Sequence, residues 1–172
     1  MIQSLFTFTK KTFDYSHLHT RGTPVKRMRV LLWCWGRRGG GPRYTLQVAR
    51  ALGRLPSLDL YLSLSRQSAL LSETKALGFP IFEVDTYQGL LSAAWRTLIV
   101  PRVAHHFAAY LDAQHIDLVL CTMIHPWSGW VAPRIRAPGR SYVFTAHDAI
   151  PHPGDRFIGW NPLMRANLRH AD

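Results

Sequence analysis

Residues 28–52 constrain the fold of this chain more than any other stretch. An apolar run, Met28-Arg-Val-Leu-Leu-Trp-Cys-Trp35, leads into Gly39-Gly-Gly-Pro-Arg43 and then into a helical pattern that continues to Leu52. The run is typical of a buried strand, and a proline suits the first turn of a helix. Consecutive glycines permit positive φ and let a ligand approach the backbone closely. The stretch therefore predicts a strand, a glycine-rich turn and a helix whose N-terminal N–H groups can bind an anion.

The rest of the sequence repeats this alternation of strand and helix. Further strands are predicted over 58–64, 80–85, 117–121 and 142–146. Helices are predicted over 43–55, 66–77, 90–114 with an interruption near Pro101, and about 161–170, with room for one short helix in the Pro- and Gly-rich connection between the last two strands. The order predicts an α/β domain over 28–172, a Rossmann-like open parallel sheet with helices on both faces. Residues 1–27 lack periodicity and are interpreted as a leader or disordered tail.

Charge and cysteine content narrow the class of protein. The 172 residues include 21 Lys and Arg against 10 Asp and Glu, a formal net charge of +11, which favours phosphorylated or other anionic partners. The basic residues are scattered and form no run, so no nucleic-acid partner is expected. Cys34 and Cys121 lie inside apolar runs and match no disulfide framework. With no signal-peptide pattern and no apolar window long enough to span a bilayer, we expect a cytoplasmic protein.

Candidate binding residues surround the glycine turn. Arg37, Arg38 and Arg43 flank the three glycines, and a guanidinium can hold a phosphate or carboxylate with two hydrogen bonds. The turn matches neither the G-x-G-x-x-G pattern nor a phosphate loop ending in Gly-Lys-Ser/Thr, which disfavours a dinucleotide dehydrogenase and a nucleoside triphosphatase. A tight turn with solvated arginines is the simpler alternative.

Polar residues also follow two of the other predicted strands. His147 and Asp148 come directly after 142–146, where an imidazole can bond a hydroxyl while the carboxylate orients the ring. His125 follows 117–121 and either lines the same cleft or is buried under the connection that follows. His152 completes a pair with His147, but a third ligand is missing, so no metal site is predicted.

On these residues, 28–172 resembles the N-terminal half of a GT-B glycosyltransferase, close to the retaining family 4. One anchor is the strand, glycine turn and helix from Met28 to Leu52. The other is Thr145-Ala-His-Asp148, followed by Pro151-His-Pro-Gly154. The resemblance implies one of two Rossmann-like domains that face each other across a cleft, the N-terminal domain binding the acceptor and the C-terminal domain binding the donor.

The resemblance also implies a function. The chain would be the acceptor-binding half of an enzyme that transfers a sugar from a nucleotide-sugar, as co-substrate and with no further cofactor, to an envelope or lipid-linked glycan. Gly39, Gly40 and Gly41 would approach the donor diphosphate, and His147 with Asp148 would act at the reacting sugar. The donor domain with its paired glutamates is absent from the sequence, so we expect the chain to be inactive alone and to need a complementary donor-domain chain. Peripheral contact with anionic lipid at the inner face of the membrane is also expected.

Two other interpretations remain open. One is a non-catalytic α/β module that binds a phosphorylated ligand or a polyanion through Arg37, Arg38 and Arg43. The other is a domain that folds poorly by itself because part of its apolar surface is left uncovered. The first predicts binding that weakens with salt, and the second predicts dye binding without a cooperative melt.

Overall fold

A parallel sheet of five strands forms the centre of the structure, a computed structural model that describes residues 26–147, 164–165 and 167–172. The strands are β1 Met28–Cys34, β2 Leu58–Ser65, β3 Ile81–Val84, β4 Leu118–Cys121 and β5 Ser141–Phe144. The helices of the described part are α1 Gly40–Leu52, α2 Leu71–Lys75, α3 Leu90–Leu98, α4 Val100–Ala113 and α5 Ser128–Ile135.

The strand order is β3-β2-β1-β4-β5, and every neighbouring pair is parallel. The chain therefore builds outward from β1 to one edge and then returns to β1 to build the other half. The connections that leave the carboxyl ends of β1 and β4 meet at this reversal, which is the place where open α/β sheets bind ligands. The predicted Rossmann-like open parallel sheet is confirmed.

Alternate residues of β1 serve the two faces of the sheet, as the period of a strand requires. Val30 and Leu32 pack with Leu60, Leu62 and the Ala49 face of α1. Leu31 and Trp33 join the opposite, larger core, which α4 and α5 cover with Ala104, Phe107, Val131 and other apolar side chains. Because both faces are covered by helices, β1 is apolar along most of its length, whereas β2 alternates leucines with Asp59, Tyr61, Ser63 and Ser65.

Two buried tryptophans of the larger core differ in their hydrogen bonding. The rings of Trp33 and Trp35 lie edge to face, with 5.2 Å between centroids, and both contact Phe107. Trp35 Nε1 donates to the Ser63 hydroxyl at 2.9 Å. Trp33 Nε1 is buried without a hydrogen-bond acceptor in the described part of the chain. The larger core thus contains one satisfied and one unsatisfied indole N–H.

The last described residues cover the edge strand. The Tyr142 hydroxyl donates to Asn167 Oδ1 at 3.0 Å, and the Tyr142 N–H donates to the Asp172 carboxylate at 2.7 Å. The Arg136 guanidinium donates to the same carboxylate at 2.8 Å. These bonds lower the pKa of Asp172, the backbone bond from Tyr142 being the largest cause. The exposed edge of β5 is therefore shielded at this point.

Several predicted boundaries need correction. The helix predicted over 66–77 is wrong in extent, because Gln67 bonds the Ser65 hydroxyl and its Oε1 accepts the Thr86 N–H, which hold the chain in a turn until α2 begins. The break predicted near Pro101 lies at Ile99, since the proline occupies the first turn of α4. The strand predicted to reach residue 146 ends at Phe144. Residues 1–25, and residues 161–163 and 166 of the helix predicted near 161–170, lie outside the described residues.

Candidate functional site

The candidate site lies at the carboxyl edge of the sheet, where the order of the strands reverses. The chain leaves β1 through residues 35–39, and Gly39 adopts a φ of 85°, a left-handed conformation that glycine accepts without strain. No side chain of the described residues caps the start of α1, and the space beside Gly40 contains no heavy atom within 4 Å of a built Cβ. The first N–H groups of α1 therefore face open space, which suits an anion or a close-lying ligand.

Close packing joins the glycine turn to the connection after β4. A Cβ built on Gly41 would lie 2.8 Å from Cγ of Met123, so only glycine fits there in this arrangement. One turn on, the Thr45 hydroxyl lies 2.6 Å from the Thr122 hydroxyl and donates to the Gly41 carbonyl at 2.8 Å. The Thr122 hydroxyl also lies 3.3 Å from the Trp33 carbonyl, so each hydroxyl has a backbone acceptor and either can donate to the other. The start of α1 and the connection after β4 are thus hydrogen-bonded to each other.

His147 completes this arrangement from the end of β5. Its Nε2 lies 2.7 Å from the Thr122 carbonyl oxygen, and its ring meets Tyr44 edge to face with 4.9 Å between centroids. A carbonyl oxygen only accepts, so Nε2 carries a proton, and in the neutral form of the ring the lone pair is at Nδ1. The histidine itself is exposed. An exposed, oriented imidazole of this kind can accept a hydrogen bond from a hydroxyl group of a ligand.

The structure therefore brings the glycine turn and His147 together, as the sequence predicts. Asp148, the second candidate catalytic residue, lies outside the described residues. Tyr44 and Thr122 were not among the predicted site residues. Thr122 directly follows β4 and could have been chosen from the strand-end argument, whereas Tyr44 lies within α1, one helical turn beyond the glycines. Their roles, like those of the predicted residues, stay predictions.

Arg37 and Arg38 line a cavity of about 340 Å³ beside the turn, together with Gln88. Arg37 is half-buried: its Nη1 donates to the Gln88 carbonyl at 2.8 Å, and its guanidinium carbon lies 4.9 Å from the centroid of the Tyr87 ring. These contacts orient the guanidinium while its other N–H groups remain available as donors. Arg38 is exposed, and Arg43 is exposed on the first turn of α1. The cavity offers positive charge within the same edge of the sheet.

His125 is 4% exposed and lies among the rings of Trp35, Tyr87 and Trp127. Its Nδ1 accepts the Trp127 N–H at 3.2 Å. Burial, with a smaller contribution from the Arg37 charge, lowers the pKa of His125 to about 3. Burial was one of the two alternatives that the sequence left open for His125. A contribution of His125 to ligand binding stays a prediction.

Other chemical groups of the described residues are arranged for packing. Cys34 and Cys121 are buried free thiols, and burial raises the pKa of Cys121 to about 12, which leaves it unreactive. Across the described ranges, no three side chains of His, Cys, Asp or Glu gather as metal ligands do. Nor does any helix there combine the length and apolarity that crossing a membrane requires.

No protein-family model matches the sequence, and no curated protein matches it. Solved structures do share its fold. MurG of Acinetobacter baumannii is 15% identical, with a TM-score of 0.59 over 81% of this chain and 39% of its own. A protein assigned as a UDP-N-acetylglucosamine 2-epimerase of Listeria monocytogenes is 15% identical, with a TM-score of 0.58 over 85% of this chain and 38% of its own. A glycosyltransferase of Rickettsia africae is 18% identical, with a TM-score of 0.54 over 74% and 32%.

The domain has the Rossmann-like fold of GT-B proteins. At these identities the comparison establishes the fold alone, and assignment to the retaining family 4 stays a prediction. The chain spans less than two-fifths of the length of each of these structures. The activities of the whole proteins therefore do not transfer to it directly.

Proposed function

We propose that this chain is the acceptor-side domain of a retaining sugar transferase, which uses a nucleotide-sugar donor and an envelope or lipid-linked glycan acceptor. One observation carries the proposal: the uncapped start of α1 and the oriented imidazole of His147 meet at the reversal point of the sheet, bridged by Tyr44 and Thr122. Ligands of open α/β sheets bind at this point.

Each group has a task suited to its chemistry. In the transfer, the bond between the anomeric carbon and the nucleoside diphosphate breaks, and the diphosphate leaves with the electron pair. An acceptor hydroxyl oxygen bonds to the same carbon from the same face, and its proton passes to the departing diphosphate. The N–H groups at Gly40 and Gly41 would stabilise the developing negative charge, since preorganised donors need no rearrangement during the reaction. Nδ1 of His147 would accept a hydrogen bond from a sugar hydroxyl, and Asp148 would orient the ring or bind a second hydroxyl.

The remaining groups for the donor would come from a complementary donor-domain chain. The resemblance to two-domain enzymes supports a second, donor-binding domain, and the chain covers 39% or less of the solved structures that share its fold. Mixed with such a domain and a lipid-linked acceptor, the chain is expected to release nucleoside diphosphate from the nucleotide-sugar. Absence of turnover with every donor domain tested would contradict the split enzyme.

Binding of UDP-N-acetylglucosamine and of pyrophosphate, measured by titration calorimetry, tests the glycine turn separately. Gly40→Val places a branched side chain in the open space and is expected to weaken binding about tenfold or more, as a blocked contact of about 1.4 kcal/mol implies. Ala51→Val is the matched control, because it adds the same branched residue to an exposed position in the last turn of α1. Equal affinities of the two variants would refute the turn as the binding element.

A second candidate is a non-catalytic module that binds a phosphorylated ligand or polyanion. The 340 Å³ cavity that Arg37 and Arg38 line favours it. In that case polyphosphate binding would fall steeply with salt and would be lost in the Arg37→Gln and Arg38→Gln variants, while Gly40→Val would bind normally. The two candidates thus differ in their response to a single substitution.

A further inference from the structure

Two neighbouring cavities lie at the carboxyl ends of β2 and β3. The first, of about 340 Å³, is the one that Arg37 and Arg38 line with Gln88. The second, of about 270 Å³, is lined by six residues, namely Gln67, Thr86, Tyr87, Gln88, Ser92 and Arg96. Because Gln88 belongs to both linings, the cavities adjoin, and the first is within the roughly 300–1,000 Å³ of small-molecule sites. They offer room for a ligand on the β3 side of the sheet, whereas His147 follows β5.

Hydrogen bonds fix the walls of both cavities. The Gln67 side-chain oxygen accepts the Thr86 N–H at 2.9 Å, which joins the chain after β2 to the chain after β3. The Ala69 N–H donates to the Arg37 carbonyl at 2.8 Å, so Arg37 is held by its backbone as well as by its guanidinium. Groups that are already ordered lose little conformational entropy when a ligand binds. The two cavities are therefore preorganised.

Unpaired positive charge and free amide groups meet in these cavities. Within the described residues, Arg37 and Arg38 form no ion pair, whereas Arg96 pairs with Asp85 at 3.8 Å. None of the described residues that line the two cavities is Asp or Glu. The Gln88 side chain forms no hydrogen bond with any described residue, since only its backbone is engaged. Such a lining suits a ligand that carries both an anionic group and hydroxyls.

We infer that the two cavities bind an acidic sugar of the acceptor glycan, one that carries a carboxylate or a phosphate group. The inference rests on the proposed transferase, whose acceptor class it names. Arg37 and Arg38 would hold the anion with paired hydrogen bonds, and the Gln88 amide would bond hydroxyls of the same sugar. The acidic group would thus be recognised away from the reacting hydroxyl. A neutral glycan would leave the guanidinium groups without partners and would be disfavoured.

Titration calorimetry with trigalacturonate and with uncharged maltotriose tests the inference on the full chain. Trigalacturonate is expected to bind about tenfold tighter or more, as a hydrogen-bonded charge pair implies. Arg37→Gln should reduce this preference about tenfold and leave the affinity for UDP-N-acetylglucosamine unchanged. Arg38→Gln, at an exposed position, should act in the same direction without disturbing the contacts of Arg37. Arg50→Gln is the matched control, because it removes the same charge from an exposed position in the last turn of α1.

Gln88→Ala distinguishes recognition of a sugar from simple attraction of a polyanion. The variant keeps the backbone carbonyl that accepts the Arg37 guanidinium, so the cation stays in place. Binding of trigalacturonate should weaken about threefold or more, since an amide no longer bonds the sugar hydroxyls. Binding of tripolyphosphate, which has no sugar hydroxyls, should not change. Glucose-6-phosphate serves as the phosphate-bearing probe, and the tighter of the two acidic sugars identifies the acidic group.

Binding of neither acidic sugar, or equal binding by wild type and Arg37→Gln, would overturn the inference. If UDP-N-acetylglucosamine still binds and Gly40→Val still weakens it, then only the acceptor class is wrong and the proposed transferase stands. Binding of tripolyphosphate that is lost in Arg37→Gln but indifferent to Gly40→Val, with no binding of the acidic sugars, would contradict both and assign the cavity to the non-catalytic module. Preference for an acidic sugar that depends on Arg37 and Gln88 would support the inference.

Discussion

Gly41 and Met123 lie so close together that a Cβ on the glycine would come within 2.8 Å of Cγ and 3.0 Å of Cβ of the methionine. The first turn of α1 therefore packs against the connection after β4 without a gap. This contact lies directly beside the bonds that join Thr45 to Thr122, and Thr122 in turn holds His147. The position of the imidazole relative to the glycine turn depends on this packing.

Gly41→Ala is accordingly expected to lower the free energy of unfolding by about 1–3 kcal/mol, as overpacking of a dense site does. Shortening the neighbour in a Gly41→Ala, Met123→Ala double variant should cost less than the sum of the two single changes, because the clash disappears. Gly40→Ala is the control, since its added methyl group meets nothing within 4 Å. Urea unfolding of the four variants measures these differences; strict additivity would contradict the contact.

The two core tryptophans are expected to respond differently to the same change. Trp35→Phe loses the bond to Ser63 and leaves that buried hydroxyl without its indole donor, whereas Trp33→Phe removes an N–H that has no acceptor among the described residues. Both substitutions replace an indole ring by the smaller phenyl ring. We therefore expect Trp35→Phe to be the more destabilising by about 1–3 kcal/mol. Chemical denaturation compares them, and an equal or reversed order would show that the Trp33 indole is hydrogen-bonded in solution.

Stability is expected to depend on His125 below neutral pH. The unfolded chain protonates this residue near pH 6.5, but the folded chain does so only near a pKa of about 3. Between these values the unfolded state binds the additional proton, so the free energy of unfolding falls as the pH falls, by up to about 1.4 kcal/mol per pH unit. His125→Asn, whose side-chain oxygen can replace Nδ1, should flatten this slope. His105→Asn, at an exposed position, should leave the slope unchanged.

His147 is expected to affect activity and not stability. Because the residue is exposed, His147→Ala should change the free energy of unfolding by no more than about 0.5–1 kcal/mol, including the loss of the bond to Thr122. In a preparation reconstituted with a donor domain, turnover should fall about 10²-fold or more if the imidazole positions or deprotonates a hydroxyl. Wild-type turnover in the variant would exclude such a role, and His105→Ala serves as the control for an unspecific effect.

Local patterns were sufficient for most of the architecture. Apolar runs, and in β2 the alternation of leucines with polar residues, identified the positions of all five strands. Short polar stretches were less predictable. The chain after Ser65 has a helical pattern, but Gln67 is hydrogen-bonded to Ser65, at the end of β2, and to Thr86, just after β3. No local sequence pattern reveals a partner as distant as Thr86.

The candidate site shows the same division. The glycine turn and His147 could be chosen because each follows a predicted strand, and parallel strands end at one edge. His125 satisfied the same criterion, yet its ring is enclosed by Trp35, Tyr87 and Trp127. Whether the His125 ring points into the core or into solvent depends on how the connection after β4 packs against the rest of the domain. The position of the residue after a strand does not determine this.

By itself, the sequence determined the class of fold, the strand positions and the edge of the sheet at which the candidate residues gather, because these follow from hydrophobic period, turn residues and the rules of parallel sheets. Only the tertiary structure decided that Thr122 orients His147, that His125 is buried, and that Leu91, Trp95 and Leu98 of α3 are exposed. The reason is physical: each of these features depends on contacts between segments distant in the chain, whose free energies are comparable to the local preferences that they oppose or complete.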